Sequence, residues 1–192
     1  MREGGQGRLF TVLRKLSDRP EDAAEDAAGI AAAESALGMR LPQDYVDFIH
    51  EFGGGSIEDE TRVEVPYSTL EPGMPNSVIG GTEAVRNSFL RARRVDDRFS
   101  PERLVRWGGD SNFDLLWNTS EPNPDDWPVV LMENPGEMID LGFGMREFIL
   151  RRCLGGLPSP LSDYRLGAPA SFLHWREEIR RWESGLDPWE AC

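Results

Sequence analysis

Tyr45, Phe48, Ile49 and Phe52 fall at i, i+3, i+4 and i+7, while Asp47, His50 and Glu51 take the opposite face. That is the period of a helix with one apolar stripe. Pro42 suits a first helical turn, where its missing N–H is not needed, and Asp44 favours the positive end of the helix dipole. Gly53 stands where a left-handed cap residue is wanted, and Gly54 and Gly55 let the chain turn away. Upstream, Leu9, Val12, Leu13 and Leu16 repeat at helical spacing and predict an amphipathic helix over 8–17. Asp18, Arg19 and Pro20 break it. A second helix is expected over 21–37, with Glu21, Asp22, Glu25 and Asp26 in its opening turns and Ile30, Ala33 and Leu37 facing inward, ended by Gly38.

Beyond the glycines the period changes. Val63 and Val65 alternate with Arg62 and Glu64, which predicts a strand with one wet face, closed by Pro66. Residues 68–81 hold two prolines and three glycines without a period and read as a long surface loop. Thr82 can cap a helix that carries Val85, Phe89 and Ala92 on one side. Three short apolar runs follow, 104–107, 113–117 and 128–132, and turn-rich segments between them favour antiparallel neighbours. Asn134-Pro135-Gly136-Glu137 fits a type II turn that returns 138–141 as a further strand. Met145, Phe148 and Ile149 mark a closing helix that stops at Gly155 and Gly156. After a Pro-, Gly- and Ser-rich connection over 157–170, Phe172, Trp175, Ile179 and Trp182 give another helical stripe.

The helix ending Leu37-Gly38, then Leu41-Pro42-x-x-Tyr45-x-x-Phe48 and the Gly53-Gly54-Gly55 turn, resembles the opening signature of the SUKH superfamily, immunity proteins related to cell-wall assembly regulators. Trp107-Gly108-Gly109-Asp110, Leu115-Leu116-Trp117 and Pro128-Val129-Val130-Leu131 look like that family's central strands, and 143–154 like its closing helix. The likeness covers residues 30–156. Its glycines, proline and aromatics describe a fold more than a reaction. The expected architecture is α+β: N-terminal helices, a mainly antiparallel sheet of about four to six strands, a closing helix and a C-terminal helical appendage. Residues 1–156 form the SUKH-like domain in this reading, and 157–192 the appendage packed on it.

Charge sharpens the picture. The chain has 34 Asp and Glu against 21 Lys and Arg, a net charge of −13. Such a field repels a phosphate backbone and favours basic partners. Seven arginines between 86 and 106 reverse the sign locally, but no aromatic ladder stands beside them to stack bases, so no nucleic-acid partner is expected. Cys153 and Cys192 lie far apart and read as reduced thiols. No run of eighteen apolar residues occurs and the N-terminus lacks the apolar core of a signal peptide, which places the chain in the cytoplasm, away from membranes.

Candidate chemistry is sparse. Asp110, Asn112, Asp114 and Glu121 imitate the oxygen spacing of a calcium loop, but Leu115 stands where that loop needs glycine. His50 and His174 have no ligand at metal spacing, and no nucleophile elbow or phosphate loop occurs. No metal, cofactor or catalytic residue is assigned. One pattern stands out: 110–140 contains eight carboxylates and no lysine or arginine, with Trp117 and Trp127 among them. A rigid aromatic among carboxylates is a plausible anchor for a basic protein. The expected partner surface is Asp110, Asp114, Trp117, Asp125, Asp126 and Trp127, with Glu58, Asp59 and Glu60 as a second cluster at the first turn. The resemblance implies an immunity protein that neutralises a cognate toxin, of nuclease or deaminase type. A regulatory scaffold for endogenous proteins and a small hydrolase are the alternatives.

Overall fold

The computed structural model describes residues 11–17, 19–67, 77–91, 98–110, 113–133, 137–162 and 165–190. In chain order the elements are β1 (Leu13–Lys15), α1 (Pro20–Ala27), α2 (Ile30–Leu37), α3 (Gln43–Phe52), β2 (Gly55–Ile57), β3 (Thr61–Val63), α4 (Val78–Arg91), β4 (Leu104–Asp110), β5 (Phe113–Asn118), β6 (Val129–Glu133), β7 (Met138–Asp140), α5 (Met145–Leu154), β8 (Ala170–His174) and α6 (Trp175–Glu183). The fold is α+β, as expected. Its sheet, however, has eight strands in the order β1-β8-β2-β3-β4-β5-β6-β7, more than the four to six foreseen. Every pairing is antiparallel except β1 with β8, which makes the sheet mixed.

Alternation along the central strands feeds two cores. Val105, Trp107, Leu115, Trp117, Val129 and Leu131 face one side, where Tyr45, Phe48 and Ile49 of α3 and Met145, Phe148 and Ile149 of α5 cover them. Leu104, Leu116, Val130, Met132 and Met138 face the other, against Val85 and Phe89 of α4 and Phe99. Trp117 meets Tyr45 edge-on with centroids 5.2 Å apart and stacks on Trp107 at 5.9 Å. A sheet apolar on both faces needs cover on both, and the helices on each side supply it.

Four local expectations change. Of the helix expected over 8–17, Thr11 and Val12 are helical and strand β1 takes over from Leu13, with Val12 and Leu13 buried; residues 1–10 lie outside the described residues. The helix over 21–37 is two helices. Gly29 at their junction passes close to Tyr67: a Cβ there would lie 3.3 Å from the Tyr67 backbone N and O. The single strand through Val63 is a hairpin, β2 and β3. Its turn places Glu58 and Asp59 at φ +51° and +60°, with the Glu60 N–H donating to the Ile57 carbonyl at 3.0 Å. Finally α4 begins at Val78, so Thr82 is no cap; its Oγ1 accepts the Arg106 N–H at 3.0 Å and ties α4 to β4. Ser77 forms an isolated bridge with Val65, and residues 68–76 and the Asn134-Pro135-Gly136 turn fall outside the described residues.

The largest correction concerns the C-terminus. The expected helical appendage over 157–192 supplies β8, an internal strand between β1 and β2, and only then α6. Phe172 of β8 packs edge-on against Phe48 and Phe52 of α3, at 5.6 and 5.2 Å. Glu58 bonds twice to Ser171, its N–H donating to the Ser171 carbonyl at 3.0 Å and its Oε1 accepting the Ser171 N–H at 2.5 Å. The stripe at helical spacing is therefore a strand residue, Phe172, followed by helix residues.

Candidate functional site

The acidic segment 110–140 does not form one surface. Asp110 pairs across the strand with Phe113 and points to the α5 side, whereas Asp114 is on the α4 side. Both are neutralised by the protein's own arginines. Asp110 receives Arg152 in a two-pronged contact, Nε to Oδ2 at 2.7 Å and Nη2 to Oδ1 at 2.9 Å, and also the Thr61 hydroxyl. Asp114 Oδ1 accepts from Arg106 Nε at 2.7 Å, and Arg106 also pairs with buried Glu64. Trp117 is fully buried and Trp127 is 4% exposed, its indole N–H donating to the Glu121 carbonyl at 2.7 Å. Asp110, Asp114, Trp117 and Trp127 are thus structural, and the expected aromatic anchors serve the core.

The remaining carboxylates divide between the two ends of the sheet. Glu133 and Glu137 are exposed at the end where β6 stops and β7 starts. The antiparallel register puts the β2–β3 turn at that same end, since Thr61 lies opposite Asp110 and Phe113 opposite Glu133. Asp59 is exposed there, Glu60 half-buried, and Glu58 is committed to Ser171. At the other end a 3₁₀ turn, Pro124–Asp126, presents Asp125 and Asp126, both exposed, with Glu121 beside it.

This acidic turn is rigidly mounted. Pro124 and Trp127 are buried on either side of the two aspartates. Asp125 Oδ1 accepts the Gln43 N–H at 2.8 Å and so caps the first turn of α3 from another element. Asp126 Oδ2 accepts from the Asn123 amide at 2.8 Å. Among the described residues neither aspartate pairs with a lysine or arginine. A fixed pair of exposed carboxylates without an ion-pair partner among the described residues projects a field that water and salt screen.

Asp44 links the turn to α5. Its Oδ1 accepts the Tyr45 N–H and its Oδ2 the Arg146 N–H, each at 2.8 Å, so it caps both helices. Burial pushes its carboxyl above the ordinary 3.8, against the pull of the Arg146 N–H and guanidinium. A raised folded-state value means that the folded protein keeps its proton where the unfolded chain has lost it. Asp44 therefore costs stability increasingly as pH rises from 3.8 through the raised value. Urea unfolding at pH 4 and pH 7 checks this: the stability of Asp44→Asn relative to wild type is expected to improve between the two. Asp44→Ala, which loses the acceptors, is expected to cost about 1 kcal/mol at pH 4.

His174 offers no free base. His174 accepts the Arg176 N–H at Nδ1, 3.1 Å, which places its proton on Nε2, 2.9 Å from Asp26 Oδ2. Both ring nitrogens are engaged. Asp26 in turn accepts the Gly54 N–H at 2.8 Å and the Trp175 indole N–H at 3.2 Å, and Asp22 holds Arg180 through two contacts of 3.0 Å. This buried network, which sequence spacing could not reveal because its members lie about 150 positions apart, seats β8 and α6 on α1. A cavity of about 60 Å³ beside it is lined by Lys15, Asp22, Glu51, Phe52 and His174 and holds no more than a few waters. His50 is exposed on α3. Among the described residues no group of three or more His, Cys, Asp or Glu is arranged to hold a metal ion. Among them, too, no helix is long and apolar enough to cross a membrane.

Residues 25–151 match the model of the SMI1 / KNR4 family (SUKH-1). No curated protein and no solved structure matches the chain. The matched segment holds α3, the sheet from β2 to β7 and most of α5; β1, β8 and α6 lie outside it.

Proposed function

The chain belongs to the SMI1 / KNR4 family (SUKH-1), and from that premise we propose that it is a non-catalytic protein-binding module of the immunity type, which holds a basic cognate toxin in the cytoplasm. The observation that carries this reading is the acidic turn: Asp125 and Asp126 stand exposed on a buried mount with no ion-pair partner among the described residues, while Asp110 and Asp114 are cancelled internally. The engaged ring nitrogens of His174 support the non-catalytic part. The 110–140 segment does not act as one acidic surface, since its charges point to opposite faces and ends. What remains is a compact acidic contact whose main physical effect is on encounter rate.

The test is co-expression with the product of a neighbouring gene that encodes a large secreted toxin, followed by co-purification and growth rescue. Association is then measured at low and high salt. Asp126→Lys is the cleaner variant, because Asp125 also caps α3. It is expected to slow association several-fold at about 20 mM salt and much less at 500 mM, where screening shortens the field's reach. An unchanged on-rate at low salt would remove the turn from the contact. Capture of endogenous proteins in place of the neighbour's product would favour the regulatory-scaffold reading.

A further inference from the structure

His174 closes one element and opens the next: it is the last residue of β8 and the N-cap of α6. Helix caps are ordinarily oxygens of Ser, Thr, Asp or Asn, and α3 and α5 follow that rule with the carboxylates of Asp125 and Asp44. In α6 the acceptor is an imidazole nitrogen. Nδ1 takes the Arg176 N–H at 3.1 Å, which it can do only without a proton of its own. Histidine is the side chain whose charge ordinarily changes between about pH 5 and 8, so this cap is built on a titratable acceptor.

The surroundings offer the ring a second arrangement. Asp22 Oδ2 stands 3.9 Å from Nδ1, too far for a hydrogen bond, and a shift of about 1 Å brings it into range of a protonated nitrogen. Nε2 meanwhile donates to Asp26 Oδ2 at 2.9 Å in either charge state. His174, Asp22 and Asp26 are all buried, so solvent screens their charges little. The two carboxylates favour the imidazolium. Against it stand Arg176, 3.7 Å from Asp26 and paired with Glu25 at 2.9 Å, and Arg180, which holds both oxygens of Asp22 at 3.0 Å and pairs with Glu177. The positive end of the α6 dipole opposes it as well. Lys15 and Arg19 border the small cavity beside the ring, and each answers to a carboxylate, Glu51 and Glu177. That cavity, about 60 Å³ and lined by both Asp22 and His174, has room for the water that delivers a proton.

We propose that His174 is a proton-operated cap: neutral, it holds the first turn of α6 through Nδ1; protonated, it releases the Arg176 N–H and gives its new Nδ1–H to Asp22. One cap bond is exchanged for one ion pair, and the proton comes from water and returns to it. The bond to Asp26 survives both states, so β8 stays in the sheet while the opening turn of α6 slackens.

Two measurements on the full ¹⁵N-labelled chain test this between pH 8 and pH 5. Imidazole nitrogen shifts report the ring itself, with His50→Gln separating the two histidines. His174 is expected as the Nε2–H tautomer at pH 8 and as the imidazolium at pH 5. Amide exchange, corrected for its intrinsic pH dependence, then reads the cap. Protection of the Arg176 amide is expected to fall about five-fold as the imidazolium forms, the size of losing one cap bond. The Trp175 amide is the internal reference, since its N–H is held by the Gly54 carbonyl at 3.2 Å and not by the ring; it is expected to keep its protection. In His174→Asn, whose side-chain oxygen takes the place of Nδ1 without titrating, Arg176 is expected to be equally protected at both pH values. An Nδ1–H tautomer at pH 8, a ring still neutral at pH 5, or an Arg176 amide indifferent to protonation overturns the proposal, whether or not the asparagine variant folds. Equal loss at Trp175 and Arg176 overturns it too, because undocking of the whole C-terminal unit would then set the exchange.

Discussion

A chain cut after Gly156 is expected to be unfolded or aggregated, not a trimmed domain. The cut removes β8, the strand that joins β1 to β2, so β1 loses its partner and β2 becomes an edge. It also removes Leu157, Leu161, Ala170, Phe172, Leu173 and Trp175, all buried. Burying a large apolar side chain contributes about 1.5–3 kcal/mol, so these together are worth about 10 kcal/mol. That is the order of a whole domain's stability, about 5–15 kcal/mol. Phe48, Phe52 and Ile57 would be left under an open edge, the kind of surface that recruits other chains. Far-UV circular dichroism and a thermal scan of the purified truncation check this. A soluble product with a cooperative transition near that of the full chain would show that β8 is an accessory after all.

That prediction turns on what the sequence could and could not display. The helix at 43–52, the strands β4 to β7 and the closing helix were legible because each carries its own local signal: a stripe, an alternation, a proline or a glycine stop. Strands β1 and β8 were not. Each is only three to five residues long, and their apolar residues continue into neighbouring segments at helical spacing, so the wrong period prevails. Pairing across about 150 residues decides the matter, and no local pattern encodes it. The Glu58–Asp59 turn was missed for a related reason, since two positive φ values there fall on residues that carry no glycine signal. At the candidate site, composition found the right segment but not its geometry. Asp125 and Asp126 remained in view because a proline-bounded turn keeps them at the surface. Asp110, Asp114 and Trp117 turned from the surface because alternate strand residues face opposite sides of the sheet, and Trp127, just after the 3₁₀ turn, packs inward on Trp117.

Replacing Arg152 by methionine is expected to cost about 3–5 kcal/mol, the second large effect in this fold. The Arg152 and Asp110 side chains are 1% and 0% exposed. Removing the guanidinium leaves a carboxylate in a buried site with only part of its hydrogen bonding intact, and the Thr61 hydroxyl cannot neutralise it. For a chain of this size the loss corresponds to a fall in Tm of about 6–20 °C. Asp110→Leu alone is expected to cost a similar amount, because it strands the arginine instead. The double variant Asp110→Leu with Arg152→Met, which removes both charges and keeps comparable volume, is expected to recover most of the loss. Denaturant unfolding of all four proteins closes the cycle, and additive losses would mean that the two residues act independently. Arg152 sits in the last turns of α5, so the pair fixes that helix to the end of β4 while Asp44 fixes its first turn. The single variants should therefore also loosen α5, and the double variant should restore it, which amide hydrogen exchange along 145–154 would show.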